Sequence, residues 1–267
     1  MSAGANYFED LNAKLDKNDL SISAEAFADS IFQALPVLSD LNPKLRDDLA
    51  WSTLSRYLRS PLFPSSMRSR VLDTLLSAEY VFFDLEGKCT ESAVKRSFSA
   101  LTVADVVTGD IEDAHLDADK LSYASKQIRH YLSLETDLRG FVEPIGWVHC
   151  LAHTGDAVLA LNRHPNTRST DLVENARAIQ EVITRRGFDV FKWGEDQRLG
   201  RPLARTIARI ESNVALSEVL QVYTRKHLFE DPSRQNVLNT LRCTYLDLHW
   251  NGYEATDVLR RLREIID

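Results

Sequence analysis

The sequence has few of the features that mark disulfide-rich or zinc-knot proteins. Its 267 residues include three cysteines, Cys89, Cys150 and Cys243, and none of them lies in a CxxC or CxxH arrangement. Cysteines that are this far apart are typical of reduced thiols in a protein core. The pattern therefore argues against a disulfide framework and against a structural zinc site.

Long apolar runs and an excess of positive charge are also missing. No run approaches the ~20 apolar residues that cross a bilayer, and the first residues lack the basic and apolar regions of a signal peptide. The formal net charge is -7, whereas nucleic acids and anionic membranes select an excess of lysine and arginine. The basic run RHPNTR from Arg163 is better explained as a solvated loop than as a nucleic-acid patch. We expect a cytoplasmic protein that uses neither nucleic acid nor a membrane as its partner.

Strand patterns are almost absent, because alternating apolar and polar runs bounded by tight-turn residues occur nowhere convincingly. Apolar residues instead recur at helical spacing along most of the chain, and one such segment runs from Leu199 to about Lys226. Helical segments begin near Ser21, Asn42, Pro64, Thr90, Ala118, Gly146, Ser169, Leu199, Pro232 and Tyr253. We predict an all-α fold with a disordered tail over residues 1–8 and a single domain over residues 9–267.

Weak internal similarity suggests how the helices are arranged. Blocks at Arg46, Lys95, Arg139 and Asp196 each place an arginine or lysine near the start of an apolar helix. The blocks are separated by roughly 45 to 60 residues, which is near the period of HEAT and armadillo repeats. We predict a right-handed α-solenoid, or α-α superhelix, with a concave face lined by one helix of each pair. A compact helical bundle remains the alternative.

The longest apolar segment with aligned polar residues covers residues 139–161, RGFVEPIGWVHCLAHTGDAVLAL. If the chain is helical from Gly146 onward, His149, His153 and Asp156 take positions i, i+4 and i+7 and fall within an arc of about 60°. The rest of that helix is apolar, so we expect it to be buried. Two imidazoles and a carboxylate on a buried helix need polar partners.

One hypothesis for these residues is a metal site. Histidines at i and i+4, such as His149 and His153, can bring two ring nitrogens to one zinc, manganese or iron ion, and Asp156 would add an oxygen ligand. Glu135 and Asp137, just upstream, would act as a fourth metal ligand, as the catalytic base or as acceptors that fix the tautomers of the imidazoles. The histidine pair lacks the glutamate of an HExxH protease helix. The hypothesis is therefore a metal-dependent hydrolase or related enzyme without the HExxH peptidase signature.

Two alternatives remain open for the same residues. In the first, the histidines and Asp156 form a structural network with arginines from neighbouring helices. In the second, the arginines point into the groove and bind a carboxylate or phosphate group together with the histidines. The residues predicted to bind such a ligand are Arg46, Arg96, Arg139, Trp147, His149, His153, Asp156 and Arg198.

The central segment also resembles a known family. It carries R-G-[FY]-V followed by G-W-x-H-x-x-A-H-x-x-D, the motif of the bacterial domain-of-unknown-function family 2785. The matching residues are Arg139, Gly140, Phe141, Val142, Gly146, Trp147, His149, Ala152, His153 and Asp156. The resemblance extends from about Leu45 to about Ile207 and implies a HEAT-like helical fold, but it implies no activity.

The sequence thus supports two hypotheses about function from different classes. The leading one is a cytoplasmic α-solenoid that binds a partner protein or a small anionic ligand in its concave groove, because repeat stacks offer extended surfaces and no recognised catalytic signature is present. The alternative is the metal-dependent enzyme, with the same histidines and Asp156 as ligands.

Overall fold

The computed structural model describes residues 12–13, 24–61, 63–85, 87, 90–185, 187–210, 213–221, 223, 232–254 and 256–266. The predicted tail over residues 1–8 and Cys89 lie outside these residues. Of the other two cysteines, Cys150 is buried and Cys243 is half-buried, and both are free thiols.

The described part of the chain is mostly helical, which confirms the predicted all-α class. In order, its elements are α1 (Ala24–Ala34), a 3-10 turn (Leu35–Ser39), a π-helical segment (Lys44–Trp51), α2 (Ser52–Arg59), α3 (Ser65–Leu75), α4 (Thr90–Asp110), α5 (Ala118–Leu134), β1 (Phe141–Val142), β2 (Gly146–Trp147), α6 (Cys150–Arg163), α7 (Ser169–Ile183), α8 (Glu195–Arg209), α9 (Asn213–Gln221), α10 (Ser233–Trp250) and α11 (Thr256–Ile266). In this part of the chain, no helix is long and apolar enough to cross a membrane.

Several helices begin where the sequence predicts them. Helix α5 starts after Asp117, whose carboxylate accepts a hydrogen bond from the backbone N–H of Lys120 at 2.7 Å. Such a cap satisfies one of the free N–H groups in the first helical turn. The segment from Leu199 to about Lys226 is predicted to be one helix, but it is divided. Helix α8 ends at Arg209, and a separate helix, α9, follows.

Helices α4 and α6 lie side by side and run in the same direction. Near their starts, the Cys150 thiol is 3.5 Å from the carbonyl oxygen of Ala93. Near their ends, Nε2 of His164 is 3.1 Å from a carboxylate oxygen of Asp110, and both side chains are fully buried. Helix α2 packs against α4, and α8 packs against α6.

Helices α4, α6, α8 and α10 form a first row. Glycines allow α6, α8 and α10 to approach one another closely. Gly155 of α6 faces the backbone of α8, where a Cβ atom would lie 2.6 Å from the carbonyl oxygen of Arg198. Gly200 of α8 faces α10 in the same way, since a Cβ atom there would lie 2.9 Å from the carbonyl oxygen of Thr240. A side chain at either glycine would collide with the neighbouring helix, so the two glycines set the spacing between α6, α8 and α10.

Helices α5, α7 and α9 form a second row. The Arg129 guanidinium of α5 donates to the amide oxygen of Asn175 in α7 at 2.8 Å, and the side-chain amide of Gln180 in α7 donates to the carbonyl of Val219 in α9. Helix α6 also contacts α5, and α8 contacts α7. The main apolar core therefore lies between the two rows, where Ile128 and other fully buried side chains pack.

The start of the segment predicted as a long helix is a β-hairpin instead. Phe141 pairs with Trp147, and Val142 pairs with Gly146. Helix α6 begins only at Cys150, so the prediction of a helix from Gly146 onward is wrong. The physical reason is local, because Pro144 lacks a backbone N–H and Gly146 has a φ of 81°, and both favour a turn over a helix.

Candidate ligand-binding site

His149 lies at the junction between β2 and α6. Its backbone N–H donates to the carbonyl of Arg139 at 3.0 Å, and its φ of 52° is in the left-handed region that non-glycine residues rarely adopt. Its ring packs against the indole of Trp147, with 4.2 Å between the ring centroids. Nε2 of His149 is buried and has no hydrogen-bond partner among the described residues. This nitrogen therefore lacks the hydrogen bond that a buried ring nitrogen ordinarily makes.

His153 lies one turn into α6 and keeps the predicted proximity to His149. The backbone N–H of His153 donates to the carbonyl of His149 at 2.9 Å, and the two rings meet edge to face with centroids 5.5 Å apart. A hydrogen bond of 2.8 Å joins Nδ1 of His153 to the Ser97 hydroxyl of α4. Ser97 thus fixes the orientation of one imidazole, while the other remains unpaired within the described residues.

Both imidazoles are held in their neutral form. Burial and, to a smaller extent, the positive charge of Arg198 together lower the pKa of His149 to about 4. Burial also lowers the pKa of His153 well below its usual value, with further contributions from His149, Arg198 and Arg46. A neutral imidazole carries one N–H donor and one acceptor nitrogen. The site can therefore donate one hydrogen bond and accept another.

Asp156 joins α6 to α8 through an ion pair with Arg198. Burial outweighs the opposing charges of Arg198 and Arg201 and leaves the pKa of Asp156 raised to about 6. Asp156 is consequently ionised at neutral pH but lies close to its titration range. The guanidinium of Arg198 is about one-third exposed, so it can reach both Asp156 and a bound anion.

A second carboxylate, Asp105 of α4, lies close enough to contribute to the raised pKa of Asp156, whose largest cause is burial. Asp105 is fully buried and accepts hydrogen bonds from the Trp51 indole and the Ser55 hydroxyl, each at 3.0 Å. It also pairs with Arg59 at 2.6 Å. These contacts join α4 to α2 and to the segment before it through the buried carboxylate of Asp105.

Three partly exposed aromatic rings lie next to His149. The ring of Trp147 meets Phe141 edge to face at 5.1 Å and Trp193 at 6.0 Å between centroids. Their side chains are 39%, 42% and 44% exposed, respectively. Gly140 permits this packing, because a Cβ atom there would lie 2.0 Å from the Trp193 ring. The rings give the site an apolar rim that can contact a ligand or a protein partner.

The structure brings together five of the residues predicted for the ligand site. They are Trp147, His149, His153, Asp156 and Arg198. Arg46 is nearby but is used differently, since it is fully buried and donates to the carbonyls of Asp40 and Ile145 at 2.9 and 2.8 Å. The guanidinium of Arg46 also lies 4.7 Å above the ring of Phe98. Arg46 therefore supports the hairpin that carries His149.

Arg96 and the predicted base Glu135 belong to a separate, buried network. Both oxygens of Glu135 accept hydrogen bonds from Arg96, at 2.8 and 3.2 Å. The Tyr131 hydroxyl donates to the same carboxylate at 2.8 Å, and the backbone N–H groups of Thr136 and Asp137 each donate at 2.9 Å. Each oxygen of Glu135 thus has at least two donors, which leaves it little capacity to accept a proton from a substrate.

Asp137 and Arg139 bind each other in the loop that leads to the hairpin. The backbone N–H and the Nε of Arg139 each donate to Asp137 at 2.9 Å. This local pair does not join the histidines. The predicted catalytic residues are therefore engaged in contacts that stabilise the connection between α5 and β1.

The predicted metal ligands do not form a preorganised site. Among the described residues, no group of three or more histidine, cysteine, aspartate or glutamate side chains is arranged to hold a metal ion. Asp156 is paired with Arg198, and Nδ1 of His153 is hydrogen-bonded to Ser97.

Comparison with family models supports the resemblance noted above. The model described as "Protein of unknown function (DUF2785)" matches residues 81–246, which is more than half of the chain. The chain belongs to family 2785. The match covers α4 to most of α10 and therefore includes Trp147, His149, His153, Asp156 and Arg198. It does not include Arg46 or the residues around α2. Comparison with curated proteins and with solved structures gave no match.

Sequence reasoning missed three contributors to the site. Ser97 and Asp105 lie on α4, and no spacing within α4 indicates that they face α6. Trp193 comes from the loop before α8 and reaches the hairpin only in the folded chain. A visible signal did exist in α8, where Arg198, Arg201 and Arg205 follow helical spacing on one face.

Proposed function

We propose that this protein is a cytoplasmic α-solenoid that binds an anionic group, presented by a small ligand or by a protein partner, in a groove between α4, α6 and α8. The two rows of helices support the solenoid, because within each row the helices pack side by side as they do in repeat proteins. The superhelix is right-handed in this proposal, and the histidines lie on its concave face. The scarcity and spacing of the cysteines support a reducing location.

One observation carries the proposal, namely the unpaired Nε2 of His149. A buried polar atom without a hydrogen bond destabilises the folded state by about 1–3 kcal/mol. The left-handed backbone of His149 adds a further unfavourable contribution of about 1 kcal/mol or more. A ligand that accepts or donates a hydrogen bond at this nitrogen would recover the first of these contributions.

The neighbouring groups favour an anion with an apolar body. Arg198 offers a partly exposed guanidinium, which suits the planar oxygens of a carboxylate or phosphate. The neutral ring of His149 can donate one hydrogen bond to the same group. Trp147 and Trp193 lie beside it and can contact the apolar remainder of the ligand.

Calorimetric titration with acetate and with inorganic phosphate would test this proposal. We expect the wild type to bind at least one of these anions and His149→Phe, which keeps a planar ring without nitrogens, to bind it about tenfold more weakly. Arg168→Ala is a control, because Arg168 makes only an exposed ion pair with Asp119. Failure of the wild type to bind either anion would contradict the proposal.

Thermal melts of the wild type and of His149→Phe would test the alternative hypothesis of a metal-dependent enzyme. If added zinc, manganese or iron raised the melting temperature of the wild type but not of His149→Phe, the metal hypothesis would replace the anion site.

A further inference from the structure

A cavity lies between the later turns of α6 and α8 and the end of α10. It has a volume of 340 Å³, and its polar lining includes Arg163, Arg205, Asp247, Asn251 and Tyr253. These residues lie on three different helices or directly after one of them. The volume is within the range that small ligands occupy in proteins.

The two arginines of this cavity carry charges that the described part of the chain leaves uncompensated. Most other arginines there have a carboxylate, a carbonyl or an aromatic ring as a partner, whereas neither Arg163 nor Arg205 makes an ion pair or hydrogen bond with a described residue. Asp247 lines the same cavity without forming an ion pair with either of them. The cavity therefore has a positive wall and a separate acidic wall.

The positive charge of Arg205 also acts on a neighbouring arginine, Arg209. Burial lowers the pKa of Arg209, and the charge of Arg205 lowers it further. Arg209 itself is occupied, because it donates to the carbonyls of Asn162 and His164 at 2.7 and 2.8 Å. Like charges held close together destabilise the fold slightly, and a bound anion would relieve that repulsion.

We propose that this cavity binds a small phosphomonoester that also carries hydroxyl groups, such as a sugar phosphate. Arg163 and Arg205 reach the phosphate from two helices, and guanidinium groups suit its oxygens because they donate two parallel hydrogen bonds. Asp247 and the amide oxygen of Asn251 accept hydrogen bonds from the hydroxyl groups. The negative charge of Asp247 disfavours an anion that lacks such groups.

This cavity is separate from the histidine site. Arg163 follows Asp156 by seven residues in α6, and Arg205 follows Arg198 by seven residues in α8, which corresponds to about 10 Å along each helix. The two sites thus lie about two helical turns apart along α6 and α8 and can be tested independently.

Calorimetric titration with glucose 6-phosphate, inorganic phosphate and glucose tests the proposal. We expect the wild type to bind glucose 6-phosphate more tightly than inorganic phosphate and not to bind glucose. Arg163→Ala and Arg205→Ala should each weaken glucose 6-phosphate binding by about tenfold or more. Arg234→Ala is the matched control, because Arg234 is another exposed arginine, at the start of α10, and it should bind like the wild type.

Asp247→Asn gives a second signature. Without the carboxylate, inorganic phosphate should bind more tightly, and the preference for glucose 6-phosphate should shrink. His149→Phe should bind glucose 6-phosphate like the wild type, which separates this cavity from the histidine site.

Three results would overturn the proposal. The first is a wild type that does not bind glucose 6-phosphate at about 1 mM. The second is unchanged binding in both arginine variants, and the third is tighter binding of inorganic phosphate than of glucose 6-phosphate. Circular dichroism of each variant would establish that these exposed substitutions leave the helices intact.

Discussion

The guanidinium of Arg46 donates to the carbonyl oxygen of Ile145 at 2.8 Å, although 99 positions separate the two residues in the chain. The same guanidinium donates to the carbonyl of Asp40 at 2.9 Å. Arg46 therefore connects the segment before α2 to the hairpin that positions His149. The geometry of the ligand site depends on this contact as well as on α6.

Arg46→Met should destabilise the protein, because it removes a buried cation and leaves two carbonyls unpaired. We expect the free energy of unfolding to fall by about 3 kcal/mol. Arg46→Lys should also be destabilising, since one ammonium group cannot reproduce the planar fork of donors. Urea unfolding measures both changes, and a loss below about 0.5 kcal/mol in Arg46→Met would contradict this role.

Glu135→Gln should lower stability strongly even though it keeps the size of the side chain. The substitution leaves the buried guanidinium of Arg96 without its counter-charge, and we expect a loss of about 3 kcal/mol. Glu174→Gln is the control, because Glu174 pairs with Arg177 on the surface and should change stability by less than about 0.5 kcal/mol. If Glu135→Gln melted like the wild type, the buried network would not be structural.

Gly155→Ala tests the close approach of α6 and α8, because the approach decides whether the substitution raises or lowers the stability of the protein. In an ordinary helix this substitution stabilises by about 1 kcal/mol. Here the added Cβ would lie 2.6 Å from the carbonyl oxygen of Arg198, so we expect a destabilisation of about 1–3 kcal/mol. Any rise in the melting temperature would show that the two helices can separate without strain.

His149 should make the protein less stable as the pH falls. Its folded-state pKa is lowered from 6.5 to about 4, so the unfolded chain binds more protons between these values. Stability is then fully present above pH 6.5 and decreases as the pH falls towards about 4. His149→Gln should therefore lose less stability than the wild type over this range. Urea unfolding at several pH values measures the difference.

Asp156 should act in the opposite direction. Its folded-state pKa is raised from 3.8 to about 6, so the folded protein binds more protons between these values. Its contribution is fully present below pH 3.8 and is lost as the pH rises through about 6. Asp156→Asn should remove this loss, and its stability curve should diverge from that of His149→Gln. Parallel curves for the two variants would refute the assignment of the two shifts.

The helical class and several helix starts could be predicted because they depend on local signals. Asp117 caps α5 through a hydrogen bond to a residue three positions away, and such spacing is visible in a sequence. The hairpin has local turn signals in Pro144 and Gly146, but these do not fix its position against the rest of the fold. It is held in part by the contact from Arg46 to Ile145, which no local pattern reveals.

The same distinction applies to the site. His149 and His153 lie together as predicted, because the backbone N–H of His153 in the first turn of α6 donates to the carbonyl of His149 even though His149 precedes the helix. The partners of the arginines could not be read from spacing. Arg96 pairs with Glu135, which is 39 positions away, and this contact draws it into the buried network instead of the groove.

The position of His149 directly before α6 also places its ring in the field of the backbone. The peptide dipoles of a helix give its first turn a partial positive charge, and α4 begins beside α6, as the contact between Cys150 and Ala93 indicates. The two aligned dipoles oppose a proton on the imidazole and attract an anion to it. Because this field comes from the main chain, part of the attraction should persist when Arg198 is replaced.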